Sequence, residues 1–313
     1  MTMQDAIGVD ISKDTLDAYH EGRNEDRQFA NSAAGFRAFC RWASGCAAAG
    51  IVFEASGAYH RDLERALSRH ELSYTKVNPR QARRFAEAIG RVAKTDKVDA
   101  RVLARMGAAL QLAPTVALPE HVAELQELLV FRRALIKDRT AARTRLKNVR
   151  RPLLRRLLNQ RLAQIERQMT SVDSAMQAII AADPGLGERL EILVSIPGIS
   201  TVSATAILAD MPELGQMTGK EAAALAGLAP MSRQSGRWQG KERIQGGRSS
   251  VRQSLFMPAL CAIQHNPSAK AKFEQLVHAG KPRKVALTAI MRKLIVLANA
   301  LLRDGRKWSA VRA

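Results

Sequence analysis

A change of pattern near residue 114 limits the fold of this chain more than any other feature. Before it, short apolar runs typical of strands alternate with stretches of helical periodicity. From Glu120 to about Ala182 no strand pattern appears, and Leu and Ile recur at every third or fourth residue. Pro114 and Pro119 mark the connector between the two patterns. The chain therefore begins as an α/β protein and continues as a helical one.

This change of pattern predicts three segments. Residues 1–114 form an α/β domain, residues 115–182 a long helical pair or coiled coil bent near Pro152, and residues 183–313 a mainly helical domain. In the last segment, "SIPGIS" puts a tight Pro-Gly turn between two apolar stretches. The turn resembles the helix-hairpin-helix motif of DNA-repair and recombination proteins, and a simple corner between two helices is the alternative.

The charge balance indicates a polyanionic partner. The sequence has 49 Lys and Arg against 29 Asp and Glu, a formal net charge of +20 and a pI near 10.7. Nucleic acid is the usual partner of so basic a protein, although a merely soluble basic protein is the alternative. No apolar run approaches the roughly 20 residues of a membrane span. We therefore expect a cytoplasmic protein that does not contact a membrane.

Basic residues are concentrated in the predicted helical pair. Between Arg132 and Arg156 the only acid is Asp138, whereas a solvated helix face normally mixes both signs of charge. We therefore predict a surface that contacts the phosphate backbone, with simple solvation as the alternative. The predicted nucleic-acid-binding residues of this surface are Arg132, Arg133, Lys137, Arg139, Arg143, Arg145, Lys147, Arg150 and Arg151.

Four acids occupy positions that suit a metal site. Asp10 ends the first apolar run, and Glu54 ends the apolar run "IVFE". Asp96 and Asp99 are three residues apart, so they share one face of a helix. Converging carboxylates repel one another unless divalent cations bind among them, and oxygen ligands favour Mg²⁺, with Mn²⁺ as a second candidate. Two such ions can clamp a phosphate that is being cleaved.

Other interpretations of these acids stay open. Asp96 and Asp99 alone are typical of a solvated helix face, and Glu54 is also compatible with the rim of a site. Asp14 and Asp17 are alternative metal ligands of lower rank. The stretch "SKDT" is typical of a turn, and Asp17 would then be an ordinary strand residue.

Six motifs occur in the order expected of one protein family: "GVDISKDTLDAY", "FEASGAYH", "KTDKVDARVLA", "SIPGIS", "LAGLAP" and "SLFMPAL". Together they resemble the DEDD transposases of insertion sequences, which are relatives of the Piv site-specific invertases, over nearly the whole chain. The resemblance implies an RNase H-like (RuvC-like) nuclease domain, a helical stretch and a C-terminal transposase domain. It also implies that Asp10, Glu54, Asp96 and Asp99 are the catalytic, metal-binding tetrad.

The resemblance further implies a catalytic serine. In that family the serine follows a "GL-P" segment, and in "GLAPMSRQSGRWQG" the match is Ser235. Family members are thought to join this serine to DNA as a phosphoserine intermediate. Serine needs activation to become a nucleophile, and no His lies close in sequence. Chemistry alone therefore leaves Ser232 as a turn residue, and Ser249 or Ser250 as a helix N-cap, in competition with Ser235.

Partners follow partly from the residues and partly from the resemblance. Lys241, Arg243 and Arg248, in the stretch after Ser235, are predicted phosphate contacts. The resemblance implies donor and target DNA and a guide, the bridge RNA, that pairs with both. Only 4% of the residues are aromatic, which argues against base stacking as the mode of recognition. Since two duplexes need four cuts, a homo-oligomer, dimer or tetramer, is expected.

The leading hypothesis is an insertion-sequence transposase that acts in the bacterial cytoplasm, at the nucleoid. It would cleave and exchange DNA strands with Mg²⁺ through a phosphoserine intermediate, guided by a bridge RNA. One alternative is a RuvC-like junction-resolving nuclease in which water attacks and no covalent intermediate forms. Another is a non-catalytic nucleic-acid-binding protein.

Overall fold

The computed structural model describes residues 5–46, 50–55, 59–90, 96–232, 234–236, 238–240 and 242–309, with the backbone alone for residues 96–98, 238 and 239. The chain divides into two compact units, Met1–Leu118 and Pro119–Ala313. The structure groups the helical pair with the C-terminal helices, where the sequence suggested a separate segment.

The first unit is built on a mixed five-stranded sheet. Its strands are β1 (Ala6–Ile11), β2 (Thr15–His20), β3 (Glu25–Ala30), β4 (Gly50–Glu54) and β5 (Tyr74–Val77). Their order across the sheet is β3-β2-β1-β4-β5. The first three strands form antiparallel pairs, whereas β1 pairs with β4 and β4 with β5 in parallel. The α/β character predicted for this part of the chain is confirmed.

Helices cover both faces of this sheet. They are α1 (Ala33–Ser44), α2 (Arg61–Arg69), α3 (Pro79–Ala88) and α4 (Asp96–Leu110). Helices α1 and α2 lie on one face, where Phe39 and Leu63 pack with Ile7 and Phe53 of the strands. Helices α3 and α4 lie on the other face. Ser32 caps α1 by accepting a hydrogen bond from the backbone N–H of Gly35 at 3.3 Å.

Helix α4 crosses β1 so closely that Gly8 has no room for a side chain. A Cβ atom on Gly8 would overlap the backbone of Ala100 and of Ala104. Farther along the helix, a Cβ atom on Gly107 would lie 3.1 Å from the Cβ of Ala6, at the start of the strand. Helix α4 therefore runs antiparallel to β1, and its first turn lies toward the carboxyl end of that strand.

The second unit is mainly helical. Its helices are α5 (Glu120–Asn148), α6 (Pro152–Ala182), α7 (Pro184–Val194), α8 (Thr201–Asp210), α9 (Gly219–Leu225), α10 (Ser249–Ser254), α11 (Phe256–His265), α12 (Pro267–His278) and α13 (Arg283–Arg303). Four short strands complete it: β6 (Pro230–Met231), β7 (Gln234–Ser235), β8 (Trp238–Gln239) and β9 (Arg243–Ile244). Helices therefore dominate this unit, as the sequence predicts.

Helices α5 and α6 form the predicted pair. On α6, buried apolar residues recur at three- and four-residue spacing, which is the pattern of a coiled-coil seam. Leu125, Leu129 and Leu135 of α5 belong to the same apolar cluster. Pro152 is the first residue of α6, so the predicted bend near Pro152 is the junction between the two helices. Proline suits that position because the first helical N–H has no partner within the helix.

Helix α13 lies in the core of the second unit. Within the part of the chain that the structure describes, it is the one helix long and apolar enough to cross a membrane by length and composition, which the sequence analysis did not anticipate. Half of its apolar window is buried inside the protein, where Leu294, Ile295 and Leu301 pack with the other helices. These contacts are those of a core helix.

We predict that Gly8→Ala destabilises the first unit. The added methyl group overlaps backbone atoms of α4, which cannot move aside as the end of a side chain can. We therefore expect the free energy of unfolding to fall by about 1–3 kcal/mol. Urea denaturation measures it. Gly45→Ala is the control, because Gly45 has a helical φ of −75° and its Cβ would lie 3.4 Å from its nearest neighbour. Equal stability of the two variants would contradict the proposed crossing.

Candidate active site

A row of polar residues crosses the sheet near the carboxyl end of β1. In the antiparallel ladders, Asp17 of β2 pairs with Gln28 of β3 on one side and with Asp10 of β1 on the other. The parallel ladder of β1 and β4 includes the residues just before Asp10 and Glu54, so these two acids are neighbours as well. Side chains in one row of a sheet point to the same face. Three carboxylates therefore stand side by side on adjacent strands.

The row lies on the face of the sheet that α4 covers. Ile7 and Val9 of β1 pack toward α1 and α2, so the alternate residues Gly8 and Asp10 face α4. The step from Gly8 to Asp10 is about 7 Å along the strand, which equals roughly four residues of an α-helix. Because α4 runs antiparallel to β1 and its residue Ala100 lies over Gly8, the first turn of α4 lies near the level of Asp10.

The predicted tetrad is thus brought to one end of the sheet by three elements. Asp10 is the next-to-last residue of β1, Glu54 is the last residue of β4, and Asp96 and Asp99 belong to the first turn of α4. The side chains of Asp10, Glu54 and Asp99 are partly exposed. The side chain of Asp96 lies outside the described part of the structure. The sequence pattern predicted that the four acids converge, and their joint role stays a prediction.

The donor set determines which ion this end of the sheet suits. Among the side chains that the structure describes, no three Asp, Glu, His or Cys residues are close enough to hold one metal ion together. The donors that converge are carboxylate oxygens, the ligands that Mg²⁺ and Mn²⁺ prefer. The residues therefore fit a magnesium or manganese site by chemistry, and their role as ligands stays a prediction.

Ion pairs fix α4 beside the strands. Arg101 donates two hydrogen bonds to Asp26 of β3, at 3.3 Å from Nε and 2.5 Å from Nη2, and these bonds raise the pKa of the Arg101 guanidinium. The same guanidinium lies over the ring of Tyr19, 4.9 Å from its centre. One turn later, Arg105 pairs with Glu21 at 3.5 Å. The start of α4 is therefore held by ion pairs to a residue of β3 and to the residue just after β2, in addition to its backbone contact with β1 at Gly8.

Asp17, which the sequence analysis gave a lower rank as a metal ligand, lies in the same row of the sheet as Asp10. It is buried, with 7% of its surface exposed, and it lies directly opposite Asp10. The turn that joins β1 and β2 provides a signal, because Ser12 and Thr15 close it through a backbone hydrogen bond of 2.9 Å. Counting outward from that turn pairs Asp10 with Asp17. Asp14, the other alternative acid, is exposed in the turn itself.

Ser235 lies at the tip of a β-hairpin. Strand β6 pairs with β9, and β7 pairs with β8. In the ladder of β7 and β8, Ser235 is opposite Trp238, so the chain reverses direction just after Ser235. Gly236 has a φ of +56°, a left-handed conformation that glycine adopts readily. The serine is exposed, so the hairpin presents its hydroxyl to solvent.

The competing serines occupy different settings. Ser232 is exposed between β6 and β7. The expectation that Ser249 or Ser250 caps a helix is wrong, because Arg248 holds the N-cap position of α10 and no side chain caps it. The two serines are the first residues of that helix. A Ser-Ser pair after "GGR" predicted the start of a helix correctly to within one residue.

Five of the predicted nucleic-acid-binding residues have acidic partners. Four of these residues pair with acids on neighbouring helices, and Arg248 pairs with an acid in the turn after α8: Arg132 (to Asp173), Arg133 (to Asp210), Arg139 and Arg143 (both to Glu166) and Arg248 (to Glu213). The Arg133 pair joins α5 to α8 through two hydrogen bonds of 3.1 and 2.6 Å. Nucleic-acid binding by these five stays a prediction, and a structural role explains them already.

The remaining predicted contacts are more exposed to solvent. No ion pair involves Lys137, Arg145, Lys147, Arg150 or Arg151 within the described part of the chain, and all five are exposed. Arg243 of β9 is exposed as well. Lys241 lies outside the described residues. A basic surface therefore runs along α5 to its junction with α6. We call it the basic strip, and its residues are Lys137, Arg145, Lys147, Arg150 and Arg151.

A tight turn joins α7 to α8 at the predicted hairpin. Gly198 has a φ of +102°, and a Cβ atom there would lie 2.7 Å from the carbonyl oxygen of Pro258. Ser200 caps α8 by accepting from the backbone N–H of Ser203 at 3.4 Å. Glycine is thus required both by the backbone conformation and by the close approach of α11.

Acidic strand ends together with basic helices indicate an enzyme that acts on nucleic acid. Comparisons with known proteins agree with this interpretation. The model of the DEDD transposases of IS110 elements matches residues 7–155, and the model "Transposase IS116/IS110/IS902 family" matches residues 190–274. The pilin gene-inverting proteins of Moraxella bovis and Moraxella lacunata are each 30% identical over 316 residues, which cover 96% of this chain and 97% of the relative.

A third relative is the IS110 insertion-element protein of 43.6 kDa from Streptomyces coelicolor. It is 25% identical over 146 residues, which cover 46% of this chain and 35% of that protein. The chain therefore belongs to the IS110 family of insertion-element transposases. It is a DNA transposase or recombinase.

Proposed function

We propose that this transposase cleaves and exchanges DNA strands with Mg²⁺, through a covalent intermediate on Ser235 and under the direction of a bridge RNA. The observation that carries the proposal is the convergence of Asp10, Glu54 and the first turn of α4 at one end of a mixed sheet. We assign that sheet to the RNase H-like (RuvC-like) folds, on the strength of its mixed strand order and its acidic strand ends.

The acids have one task in this proposal, which is to hold divalent cations. Asp10, Glu54, Asp96 and Asp99 would be the ligands, and Mn²⁺ would replace Mg²⁺ because both take carboxylate oxygens. When bound, the ions supply charge that stabilises the attacking and leaving oxygens of the phosphate. The ion pairs of Arg101 and Arg105 keep the first turn of α4 in place over the strand ends.

Ser235 is the proposed nucleophile. Its Oγ forms a bond to phosphorus while a bond from phosphorus to a deoxyribose oxygen breaks. The serine hydroxyl loses its proton, and the freed deoxyribose oxygen gains one. In the second step the hydroxyl end of another strand attacks the phosphoserine and releases Ser235. One phosphodiester bond replaces another, so no high-energy cofactor is required.

The basic strip and the turn between α7 and α8 are the proposed contacts to nucleic acid. Exposed Lys and Arg bind the backbones of DNA and RNA alike, which leaves the reading of sequence to base pairing with the guide. We assign the turn at Gly198 to the helix-hairpin-helix motifs, supported by its tight geometry between two helices. Donor and target DNA, the bridge RNA and further copies of the chain would assemble in the cytoplasm.

Removing any acid of the tetrad should abolish recombination. Asp10→Asn, Glu54→Gln, Asp96→Asn and Asp99→Asn each remove one ligand charge, and relief of repulsion should leave the fold intact. A plasmid recombination assay measures activity, and thermal melting verifies the fold. Asp14→Asn is the control, since Asp14 is exposed in the turn before β2. Wild-type activity in any two of the four variants would show that the tetrad is assigned wrongly.

Ser235→Ala should abolish the covalent intermediate and recombination together. With Mg²⁺, guide RNA and cleavable DNA, the wild type should give a protein–DNA adduct that survives denaturation, because a phosphoserine ester is covalent. Denaturing gels with labelled DNA detect it. Ser232→Ala, an exposed serine in the same segment, should behave as the wild type. A Ser235→Ala protein that recombines at the wild-type rate would instead favour the nuclease in which water attacks.

Neutralising the basic strip should weaken nucleic-acid binding at every sequence tested. Replacing all five residues of the basic strip with Gln removes positive charges that form no ion pair within the described part of the chain. The slope of log affinity against log salt should therefore flatten by up to about 1 for each phosphate that the protein no longer neutralises. Titrations at several salt concentrations measure this slope. Arg139→Gln with Arg143→Gln, measured in the same way, shows whether residues that pair with Glu166 also contribute to binding. An unchanged slope would assign the basic strip to solvation alone.

A further inference from the structure

Asp17 is an acid near the proposed tetrad that is not one of its four members. It is a buried carboxylate on the same face of the sheet as Asp10, and the two residues are direct partners in the ladder of β1 and β2. Directly paired residues of antiparallel strands have Cβ atoms about 4.5–5.5 Å apart. A second negative charge therefore stands next to the first proposed metal ligand.

The hydrogen-bond partners of Asp17 are neutral. The amide Nε2 of Gln28 donates to its Oδ1 at 2.8 Å, and the hydroxyl of Thr15 donates to its Oδ2 at 3.4 Å. The cations nearby are paired with other acids, since Arg27 pairs with Glu25 and Arg101 with Asp26. Within the described part of the chain, no ion pair balances the charge of Asp17.

A small cavity adjoins this carboxylate. Its volume is about 190 Å³, and it is lined by Asp17, Ala18, Asp26, Arg27, Gln28 and Ala100. Ala100 lies in the first turns of α4, immediately after Asp99. The cavity therefore lies between Asp17 and the early part of α4. A buried charge that only neutral groups contact is costly unless a cation lies near it.

We propose that Asp17 is a positioning residue of the metal site, whose charge strengthens the binding of divalent cations beside Asp10. The inference rests on the proposed metal-dependent function. Asp17 need not touch the ion, since a charge one strand away acts through the field it creates. Gln28 and Thr15 hold the carboxylate in place, so that its charge stays on the α4 side of β2.

Two opposite effects of Asp17→Asn follow from this role. Without metal, the carboxylates of Asp10 and Asp17 repel each other, so removing one charge should leave the melting temperature unchanged or raise it. With metal, the missing charge should weaken cation binding on the order of tenfold. The asparagine keeps an oxygen that accepts from Gln28, so the hydrogen bond of the wild type persists. A merely structural residue would show neither effect.

Thermal melting of the full-length protein, titrated with Mn²⁺ in the absence of nucleic acid, tests the inference. The midpoint of the Mn²⁺-induced rise in melting temperature is compared among the wild type, Asp17→Asn and the control Asp14→Asn. We expect the wild type and the control to coincide and Asp17→Asn to need about ten times more Mn²⁺.

The possible failures are distinguishable. A lower metal-free melting temperature with an unchanged Mn²⁺ midpoint in Asp17→Asn would overturn the inference and assign Asp17 a structural role only. If Asp10→Asn alone loses the response to Mn²⁺, the proposed function stands and the role of Asp17 falls. If the wild type itself shows no response to Mn²⁺, both fall.

Discussion

The contact between α4 and β1 at Gly8 is the interaction on which the candidate site depends. Strand ends bring Asp10 and Glu54 together through the register of the sheet, but Asp96 and Asp99 come from a segment more than forty residues farther along the chain. Only a helix that crosses the strand in backbone contact can set their level along β1. Glycine makes that crossing possible because it alone leaves room for the backbone of Ala100.

Lateral contacts complete the placement of the helix. A close crossing fixes the distance of a helix from a sheet, but it leaves rotation about the crossing point. The pairs of Arg101 with Asp26 and of Arg105 with Glu21 oppose that rotation from the side of β2 and β3. Exposed ion pairs contribute little to stability on average. Their value here is orientation, because they direct the first turn of α4 toward the strand ends.

Features that depend on local pattern could be predicted from the sequence. The strand end at Asp10, the strand end at Glu54 and the helical spacing of Asp96 and Asp99 are properties of short segments. The pairing of Asp10 with Asp17 is not local, since it depends on which residues close the turn between two strands. Ion pairs between distant residues cannot be predicted from local pattern either. The sequence therefore predicted a uniform basic surface, whereas some of its arginines form ion pairs within the protein, as Arg133 does with Asp210.

Anomalous scattering from crystals soaked in Mn²⁺ tests the central claim most directly, since it locates the ions without reference to activity. We expect a peak at the carboxyl end of β1, within bonding distance of the carboxylates of Asp10 and Asp99 and absent from crystals of Asp10→Asn. A fully occupied Mn²⁺ ion elsewhere, with no peak at this end of the sheet, would contradict the claim that the crossing at Gly8 builds a metal site.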